Sequence, residues 1–183
     1  MSVKIISDST CDLSGELIEK YGIFAKGYGM VINDENNVNE IFEDIKNIGY
    51  PVDAVVLNAA NLGIRQEFLT VDIKDFQEVI NTNICWNFMI VRAAAKQMIE
   101  KGGGSVVFVN SNTAYRAIPD RIAYSASKGA QLGMMRALAL DLGKYNIRVN
   151  DQTQVFIETP YRNNKLIAEM SKTLPKHLKL CVA

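Results

Sequence analysis

The hydrophobic pattern alternates between short, continuous apolar runs and longer stretches with helical spacing. Runs of Val, Ile, Leu and Phe without polar alternation predict strands that are buried on both faces of a sheet. Apolar residues that recur every three or four positions predict amphipathic helices. The predicted strands are 3–6, 29–32, 54–57, 105–109 and 147–149, and the predicted helices are 13–21, 36–48, 72–100, 123–142 and 161–173.

Because strands and helices alternate along the chain, the pattern predicts an α/β fold with a parallel sheet covered by helices on both faces. Right-handed crossover connections then give a Rossmann-like, doubly wound sheet of about five strands in a three-layer α/β/α arrangement. The chain shows no internal repeat, low-complexity tract or linker, so residues 1–183 are predicted to form a single domain.

Composition and charge exclude several classes of protein. Apolar residues make up 48% and charged residues 22%, which is typical of a globular chain and not of a disordered or collagen-like one. Twenty basic residues balance twenty acidic ones, so net charge gives no attraction to nucleic acid or anionic lipid. Three scattered cysteines and one histidine argue against a disulfide framework and a metal site. With no membrane-length apolar run and no signal-peptide pattern, we expect a cytoplasmic protein.

A tyrosine and a lysine stand one turn apart at the start of a predicted helix, in the run Tyr124-Ser-Ala-Ser-Lys128. That spacing places both on one helical face, where an ammonium stabilises the phenolate form of a neighbouring tyrosine. Tyr124 is therefore a candidate general acid or base, although the spacing alone also fits a surface Tyr/Lys pair. Ser111 follows predicted strand 105–109, at the sheet edge where open α/β folds bind ligands.

Several segments between Asp53 and Thr159 resemble the short-chain dehydrogenase/reductase family, in the order in which that family carries them. The matching segments are Asp-Ala-Val-Val-Leu-Asn-Ala-Ala at 53–60, Asn-Thr-Asn at 81–83, Val-Asn-Ser at 109–111, the Tyr-x-x-x-Lys signature at 124–128, Asn-Ile-Arg-Val-Asn at 146–150 and Phe-Ile-Glu-Thr-Pro at 156–160. The resemblance implies an NAD(P)-dependent oxidoreductase that interconverts an alcohol and a carbonyl by hydride transfer.

The same resemblance implies a role for each matched residue. Tyr124 would exchange a proton with the substrate oxygen, and Lys128 would stabilise its phenolate and hydrogen-bond the nicotinamide ribose. Ser111 would orient the substrate carbonyl or hydroxyl. Asn83 would help to hold a proton-relay water, unless it merely bonds its own helix backbone. The cofactor, NAD or NADP, is expected to contact Ser7, Ser9, Leu13, Asn58, Ala59, Ala60, Tyr124, Lys128, Ile157 and Thr159.

The amino-terminal segment departs from the family. The run 7–14, Ser-Asp-Ser-Thr-Cys-Asp-Leu-Ser, stands where the family has a glycine-rich turn, with Asp8 and Asp12 at two glycine positions. Side chains there obstruct the close approach of backbone to a pyrophosphate, and carboxylates repel it. The spacing from Ser7 to Asn58 suggests that one strand–helix unit is missing, and the family's carboxyl-terminal end is missing too. The altered glycine-rich turn favours an alternative, a catalytically impaired or non-enzymatic scaffold of the same family that binds dinucleotide weakly.

A second alternative comes from residues 4–23, which also resemble the start of the DegV family of fatty-acid-binding proteins. In that family the Asp-Ser-Thr run lies near a bound lipid carboxylate. This alternative predicts a small lipid-binding protein.

The two long predicted helices, 72–100 and 123–142, are similar to those that pair family members into oligomers. Both are rich in apolar residues that exceed the needs of one sheet face, namely Phe88, Ile90, Val91, Leu132 and Met135. We therefore expect a homodimer or homotetramer that acts on a small alcohol or carbonyl compound.

Overall fold

The computed structural model describes residues 5–7, 16, 19, 23–25, 35–47, 49 and 51–149. Its strands are β1 (Ile5–Ser7), β2 (Ile23–Ala25), β3 (Ala54–Leu57), β4 (Gly104–Phe108) and β5 (Ile147–Val149). Its α-helices are α1 (Glu35–Asn47), α2 (Ile73–Ile80), α3 (Trp86–Lys101) and α4 (Ile122–Gly143). Three short turns complete the description: 3-10 turns at Phe68–Thr70 and Asn112–Ala114, and a π-helical turn at Asn81–Cys85.

The described strands are all parallel and fall into two hydrogen-bonded groups. β3, β4 and β5 lie side by side in chain order, with Leu57 opposite Phe108, while β1 pairs with β2. The sequence predicted one sheet of about five strands. Parallel strands joined by helices are present as predicted, but no described strand joins β1 or β2 to β3.

One apolar core lies between the three-stranded group and helices α1, α3 and α4. In β3 the consecutive residues Val55, Val56 and Leu57 are all buried, which explains the continuous apolar run. Burial of this core is the main favourable contribution to folding. The core is formed by Val38, Phe42, Val55, Leu57, Val91, Ala93, Ala94, Ala95, Met98, Val106, Phe108, Leu132, Met135, Ile147 and Val149.

Three of the apolar residues that the sequence assigned to surplus surface belong to this core. Val91 is 1% exposed, and Leu132 and Met135 are also buried, because α3 and α4 cover the strands with these faces. Phe88 differs from them, with 45% of its surface exposed. The expectation of surplus apolar surface was therefore wrong for Val91, Leu132 and Met135.

Element boundaries agree with the sequence prediction where polar or glycine residues flank an apolar pattern. β3 and β5 coincide with the predicted strands, and α4 differs from the predicted helix by one residue at each end. β2 was not predicted. Predicted strand 29–32 and predicted helix 161–173 lie outside the described residues, and of predicted helix 13–21 only Glu16 and Glu19 are described, both helical.

The long helix predicted over 72–100 is interrupted. Asp72 caps its start as expected, since the Asp72 carboxylate accepts a hydrogen bond of 2.7 Å from the Lys74 N–H. At Asn81–Cys85 the backbone then forms a π-helical turn, and the Trp86 N–H donates to the Asn81 carbonyl five residues earlier. A π-helical turn inserts one residue into the helix, which changes the direction of the side chains and frees backbone carbonyls for other donors.

Candidate active site

Tyr124 and Lys128 lie together on the first two turns of α4. The Lys128 Nζ is 5.7 Å from the centroid of the Tyr124 ring. Lys128 is only 2% exposed, whereas Tyr124 is partly exposed. The helix therefore holds a buried ammonium beside a phenol that solvent and small molecules can reach.

The ammonium of Lys128 is held by two neutral oxygens. It donates to the Val109 carbonyl at 3.0 Å and to the Gln131 Oε1 at 3.1 Å. No carboxylate among the described residues forms an ion pair with it. Burial lowers the pKa of Lys128 from 10.5 to about 8, because the charged form loses hydration that two neutral acceptors replace only in part.

Ser111 lies at the carboxyl end of β4 and caps the 3-10 turn that follows. Its Oγ accepts hydrogen bonds from the Thr113 N–H at 3.2 Å and the Thr113 Oγ1 at 3.0 Å. The preceding residue, Asn110, fastens this segment to α4: its Nδ2 donates to the Lys128 carbonyl at 3.1 Å, and its Oδ1 accepts from the Ser111 N–H. Ser111 and Lys128 thus belong to one hydrogen-bonded cluster.

Asn83 is fully buried in the π-helical turn and connects three segments. Its Oδ1 accepts from the Asn61 N–H at 2.7 Å, and its Nδ2 donates to the Asn61 carbonyl and the Ser127 Oγ, both at 2.9 Å. Its backbone carbonyl accepts from the Asn87 Nδ2 at 2.7 Å and the Gln131 Nε2 at 3.0 Å. The Asn83 side chain therefore bonds the loop after β3 and helix α4, not its own helix backbone.

The residues expected to meet the cofactor are described only in part. Asn58, Ala59 and Ala60 follow β3 and are exposed, and the small side chains of the two alanines leave the backbone open to a ligand at this edge of the sheet. Ser7 is the last residue of β1. Ser9, Leu13, Ile157 and Thr159 lie outside the described residues, as do Asp8 and Asp12.

Several residues that the sequence analysis did not single out complete this cluster. Asn61 and Ser127 hold Asn83, and the buried Gln131 contacts both Lys128 and Asn83. The sequence carries one signal for Gln131: it is a polar residue three positions after Lys128, on a helix face that is otherwise buried. No comparable pattern marks Asn61, because its partner is 22 residues away in the chain.

Tyr124 borders a narrow cleft between residues 62–66 and residues 120–124. Arg121 joins the two sides, since its Nη1 donates to the Leu62 carbonyl at 3.0 Å and the Gly63 carbonyl at 2.6 Å. A larger depression of about 400 Å³ lies elsewhere, on α2 and α3 around Cys85 and Trp86. It contains none of the candidate catalytic residues, and of these residues only Tyr124 lines the narrow cleft.

Two kinds of feature are absent from the described ranges. No helix there is long and apolar enough to cross a membrane. No group of three or more His, Cys, Asp or Glu side chains is arranged to hold a metal ion in that part of the chain.

Solved structures share this architecture. An NAD+-bound xylitol dehydrogenase matches with a TM-score of 0.69 and 28% identity, over 80% of this chain and 58% of that one. A 3-ketoacyl-ACP reductase from Sinorhizobium meliloti 1021 matches with a TM-score of 0.71 and 26% identity, over 80% of this chain and 60% of that one. These similarities confirm the predicted Rossmann-like α/β class.

Curated relatives agree with the structures. The 3-oxoacyl-(acyl-carrier-protein) reductase FabG of Aquifex aeolicus is 31% identical over 146 residues, which cover 79% of this chain and 58% of the relative. The corresponding reductase of Bos taurus is 34% identical over 145 residues, covering 77% of this chain and 59% of the relative. The chain thus spans less than two thirds of these relatives. Since the family model for short chain dehydrogenase also matches residues 6–169, the chain belongs to the short-chain dehydrogenase family.

Proposed function

We propose that this chain forms the catalytic part of an NAD(P)-dependent oxidoreductase that interconverts an alcohol and a carbonyl. The observation that carries the proposal is the buried Lys128 ammonium, 5.7 Å from the ring centroid of the partly exposed Tyr124. A positive charge in a poorly hydrated site stabilises a neighbouring phenolate more than it would in water. Tyr124 is thereby suited to take up and release a proton.

In the oxidative direction, the phenolate oxygen of Tyr124 accepts the proton of the substrate hydroxyl. The substrate carbon that bears this hydroxyl loses a hydride in the same step. In the reductive direction, the Tyr124 phenol donates its proton to the carbonyl oxygen. The nicotinamide ring supplies the hydride acceptor or donor when it is bound. The side chains contribute position and proton transfer, and general acid–base catalysis is worth about 10² to 10⁴ in rate.

The other candidate residues have positional roles in this proposal. Ser111 would orient the substrate oxygen beside Tyr124, and Lys128 would donate to the nicotinamide ribose of a bound cofactor. Asn83 holds the loop after β3 against α4 through Asn61 and Ser127. The relay water implied for Asn83 by the family resemblance stays a prediction.

The cofactor site we propose combines the described residues Asn58, Ala59 and Ala60 with Tyr124 and Lys128. Ser7, Ser9, Leu13, Ile157 and Thr159 belong to the same proposal by resemblance. The exposed backbone at 58–60 and the lysine on the first two turns of α4 support it, because ligands of open α/β sheets bind at the carboxyl edge of the strands. Titration with NADH and with NADPH distinguishes the two cofactors.

The names of the relatives guide the choice of substrate. Two are called 3-oxoacyl-(acyl-carrier-protein) reductases, and one solved relative is a xylitol dehydrogenase. A 3-oxoacyl thioester is accordingly the first substrate to assay in the reductive direction, followed by a polyol in the oxidative direction.

The proposal is tested by titrating the chain with NADH and NADPH and then measuring turnover. We expect Tyr124→Phe to lower turnover by about 10² or more while leaving nucleotide affinity unchanged, because only the proton donor is lost. Lys128→Met should lower both the turnover and the nucleotide affinity. Tyr145→Phe is a matched control, since Tyr145 also has a lysine near its ring, the Lys144 Nζ at 5.0 Å, but lies in the turn just beyond the far end of α4. Full turnover by Tyr124→Phe, or no binding of either nucleotide, would contradict the proposal.

The scaffold alternative is favoured by Asp8 and Asp12, whose charges oppose a pyrophosphate. It predicts weak nucleotide binding in the original chain. Asp8→Gly combined with Asp12→Gly should then improve nucleotide affinity, and added salt should help the original chain more than the double variant. Unchanged affinity in the double variant would remove the argument from these carboxylates. The fatty-acid-binding alternative stays a prediction about residues 4–23 alone.

We also propose that the chain self-associates through its long helices, as a homodimer or homotetramer. Phe88 on α3 and Leu140 on α4 support this, with 45% and 83% of their surfaces exposed. Light scattering at micromolar concentration checks it. Replacing both residues with Glu should give a monomer if these helices form the interface, and a monomeric original chain would overturn the proposal.

A further inference from the structure

Gln131 is a buried glutamine whose two polar ends contact two candidate site residues. It is 1% exposed. Its Oε1 accepts from the Lys128 Nζ at 3.1 Å, and its Nε2 donates to the Asn83 carbonyl at 3.0 Å. When either partner moves away, the end of the amide that bonded it is left buried and unsatisfied.

The orientation of this amide is fixed by its neighbours. The ammonium of Lys128 is only a donor and the carbonyl of Asn83 is only an acceptor. Rotating the amide by half a turn would place its NH2 group against the ammonium and its oxygen against the carbonyl. Gln131 can therefore satisfy both neighbours in one orientation alone, and it holds α4 against the π-helical turn in that orientation.

We propose that Gln131 is a positioning residue that fixes the direction of the Lys128 ammonium toward Tyr124 and stabilises its charge. This inference rests on the proposed function for its consequence, because a lysine assists Tyr124 only while it is charged and close. The only other protein acceptor described for the ammonium is the Val109 carbonyl. With Gln131 in place, two of the three ammonium donors are fixed, on the strand side and on the helix side.

The surroundings of Lys128 make its charge sensitive to this single amide. Tyr124 on the same helix is the titratable group beside it, and its two described acceptors, the Val109 carbonyl just after β4 and the Gln131 amide, are uncharged. The π-helical turn meets Gln131 through the Asn83 carbonyl, which is also uncharged. Loss of the Gln131 oxygen would leave one described acceptor for a buried cation. A carboxylate at the same position would instead supply an opposite charge.

Titration of Lys128 tests the inference without any cofactor. The chain is labelled with 15N and 13C lysine, the Lys128 signal is assigned by its loss in Lys128→Arg, and its pKa is followed by NMR. We expect Gln131→Met to lower the pKa of Lys128 by about one unit or more, and Gln131→Glu to raise it by a similar amount. If Gln131→Met does not fold, the sign of the Lys128 pKa shift in Gln131→Glu still tests the inference. An upward shift supports it, and a downward shift or no shift contradicts it.

Gln97→Met is the matched control. Gln97 is also buried and also bridges two segments, donating to the Phe42 carbonyl at 2.7 Å and accepting from the Val52 N–H at 3.4 Å, but it has no described contact with Lys128. It should lower thermal stability as Gln131→Met does and leave the pKa of Lys128 unchanged. Shifts of the same sign in both Gln131 variants, or no shift in either, would overturn the inference.

The turnover measurement separates this inference from the proposed function. Where turnover occurs, its pH profile should move in each Gln131 variant in the same direction as the NMR titration. Opposite pKa shifts without turnover in any chain would support the positioning role and contradict the oxidoreductase proposal. Turnover without any shift in the Lys128 pKa would support the oxidoreductase proposal and contradict the positioning role.

Discussion

The side-chain amide of Asn83 pairs with both backbone polar groups of Asn61, accepting from its N–H at 2.7 Å and donating to its carbonyl at 2.9 Å. In a sheet, a neighbouring strand forms such a pair of hydrogen bonds with its backbone. Here the side chain of a single residue forms both. Asn61 lies four residues beyond the end of β3, where no strand continues to satisfy its backbone. Asn83 therefore extends the ordered edge of the sheet by a side-chain contact.

Asn83→Ala should destabilise the fold, because it removes three side-chain hydrogen bonds and leaves both polar groups of Asn61 unpaired. We expect a loss of about 3 kcal/mol in the free energy of unfolding. Urea denaturation measures it. Asn58→Ala, at an exposed position three residues before Asn61, should change stability by less than about 0.5 kcal/mol. Equal effects of the two substitutions would show that the Asn61 pairing contributes nothing to stability.

The buried Lys128 predicts that stability rises with pH above 8. The folded chain holds this proton with a pKa of about 8 and the unfolded chain with one near 10.5. Below pH 8 both states are protonated and the folded state bears the full cost of a buried charge. Between pH 8 and 10.5 the unfolded state binds more protons, so the free energy of unfolding gains up to about 3 kcal/mol.

Urea denaturation at pH 7, 8, 9 and 10 checks this dependence, with Lys128→Met as the reference. Other lysines and tyrosines titrate in the same window, so the informative quantity is the difference between the two chains. That difference should grow in favour of the original chain as the pH rises. A constant difference would mean that Lys128 keeps an ordinary pKa in the folded state.

Much of the fold could be predicted because local pattern and tertiary structure agree. β3 is a run of apolar residues with polar residues on each side, and α4 keeps its helical pattern from Ile122 to Gly143, so their boundaries follow from the chain alone. The π-helical turn at Asn81–Cys85 could not be predicted, since one inserted residue leaves the composition and spacing of a long helix nearly unchanged.

In the candidate site, the contacts within one helix could be predicted from the sequence, and the contacts between distant segments could not. The proximity of Tyr124 and Lys128 follows from helix geometry, because residues four apart share a face. Gln131 lies three residues after Lys128 on the same helix, so helix geometry also places it within reach of the ammonium. The Val109 carbonyl could not be predicted, because it depends on which strand end meets α4 in the folded chain.

Arg121 should control the order of the loop that borders Tyr124. Its Nη1 donates to two consecutive carbonyls, and the neighbouring Asp120 carbonyl accepts from the Gln66 N–H at 3.0 Å. We expect Arg121→Ala to cost about 1 to 2 kcal/mol and to speed hydrogen exchange at the Gln66 amide. Arg116→Ala, at an exposed arginine just before this segment, is the control. Unchanged exchange at Gln66 in Arg121→Ala would show that the loop is held by other contacts.

Gly104 and Gly133 should respond to alanine in opposite directions. Gly104 begins β4 against the fully buried Met98, and an added Cβ would collide with the Met98 side chain. Because Met98 is fully buried among core side chains, we expect Gly104→Ala to lower the free energy of unfolding by about 2 kcal/mol. Gly133 lies within α4, exposed, and its Cβ would meet nothing within 4 Å, so Gly133→Ala should raise that free energy by about 0.5 to 1 kcal/mol. Thermal melts of the two variants beside the original chain measure both signs. A Gly104→Ala chain as stable as the original would mean that α3 and β4 pack loosely enough at Met98 to admit a methyl group.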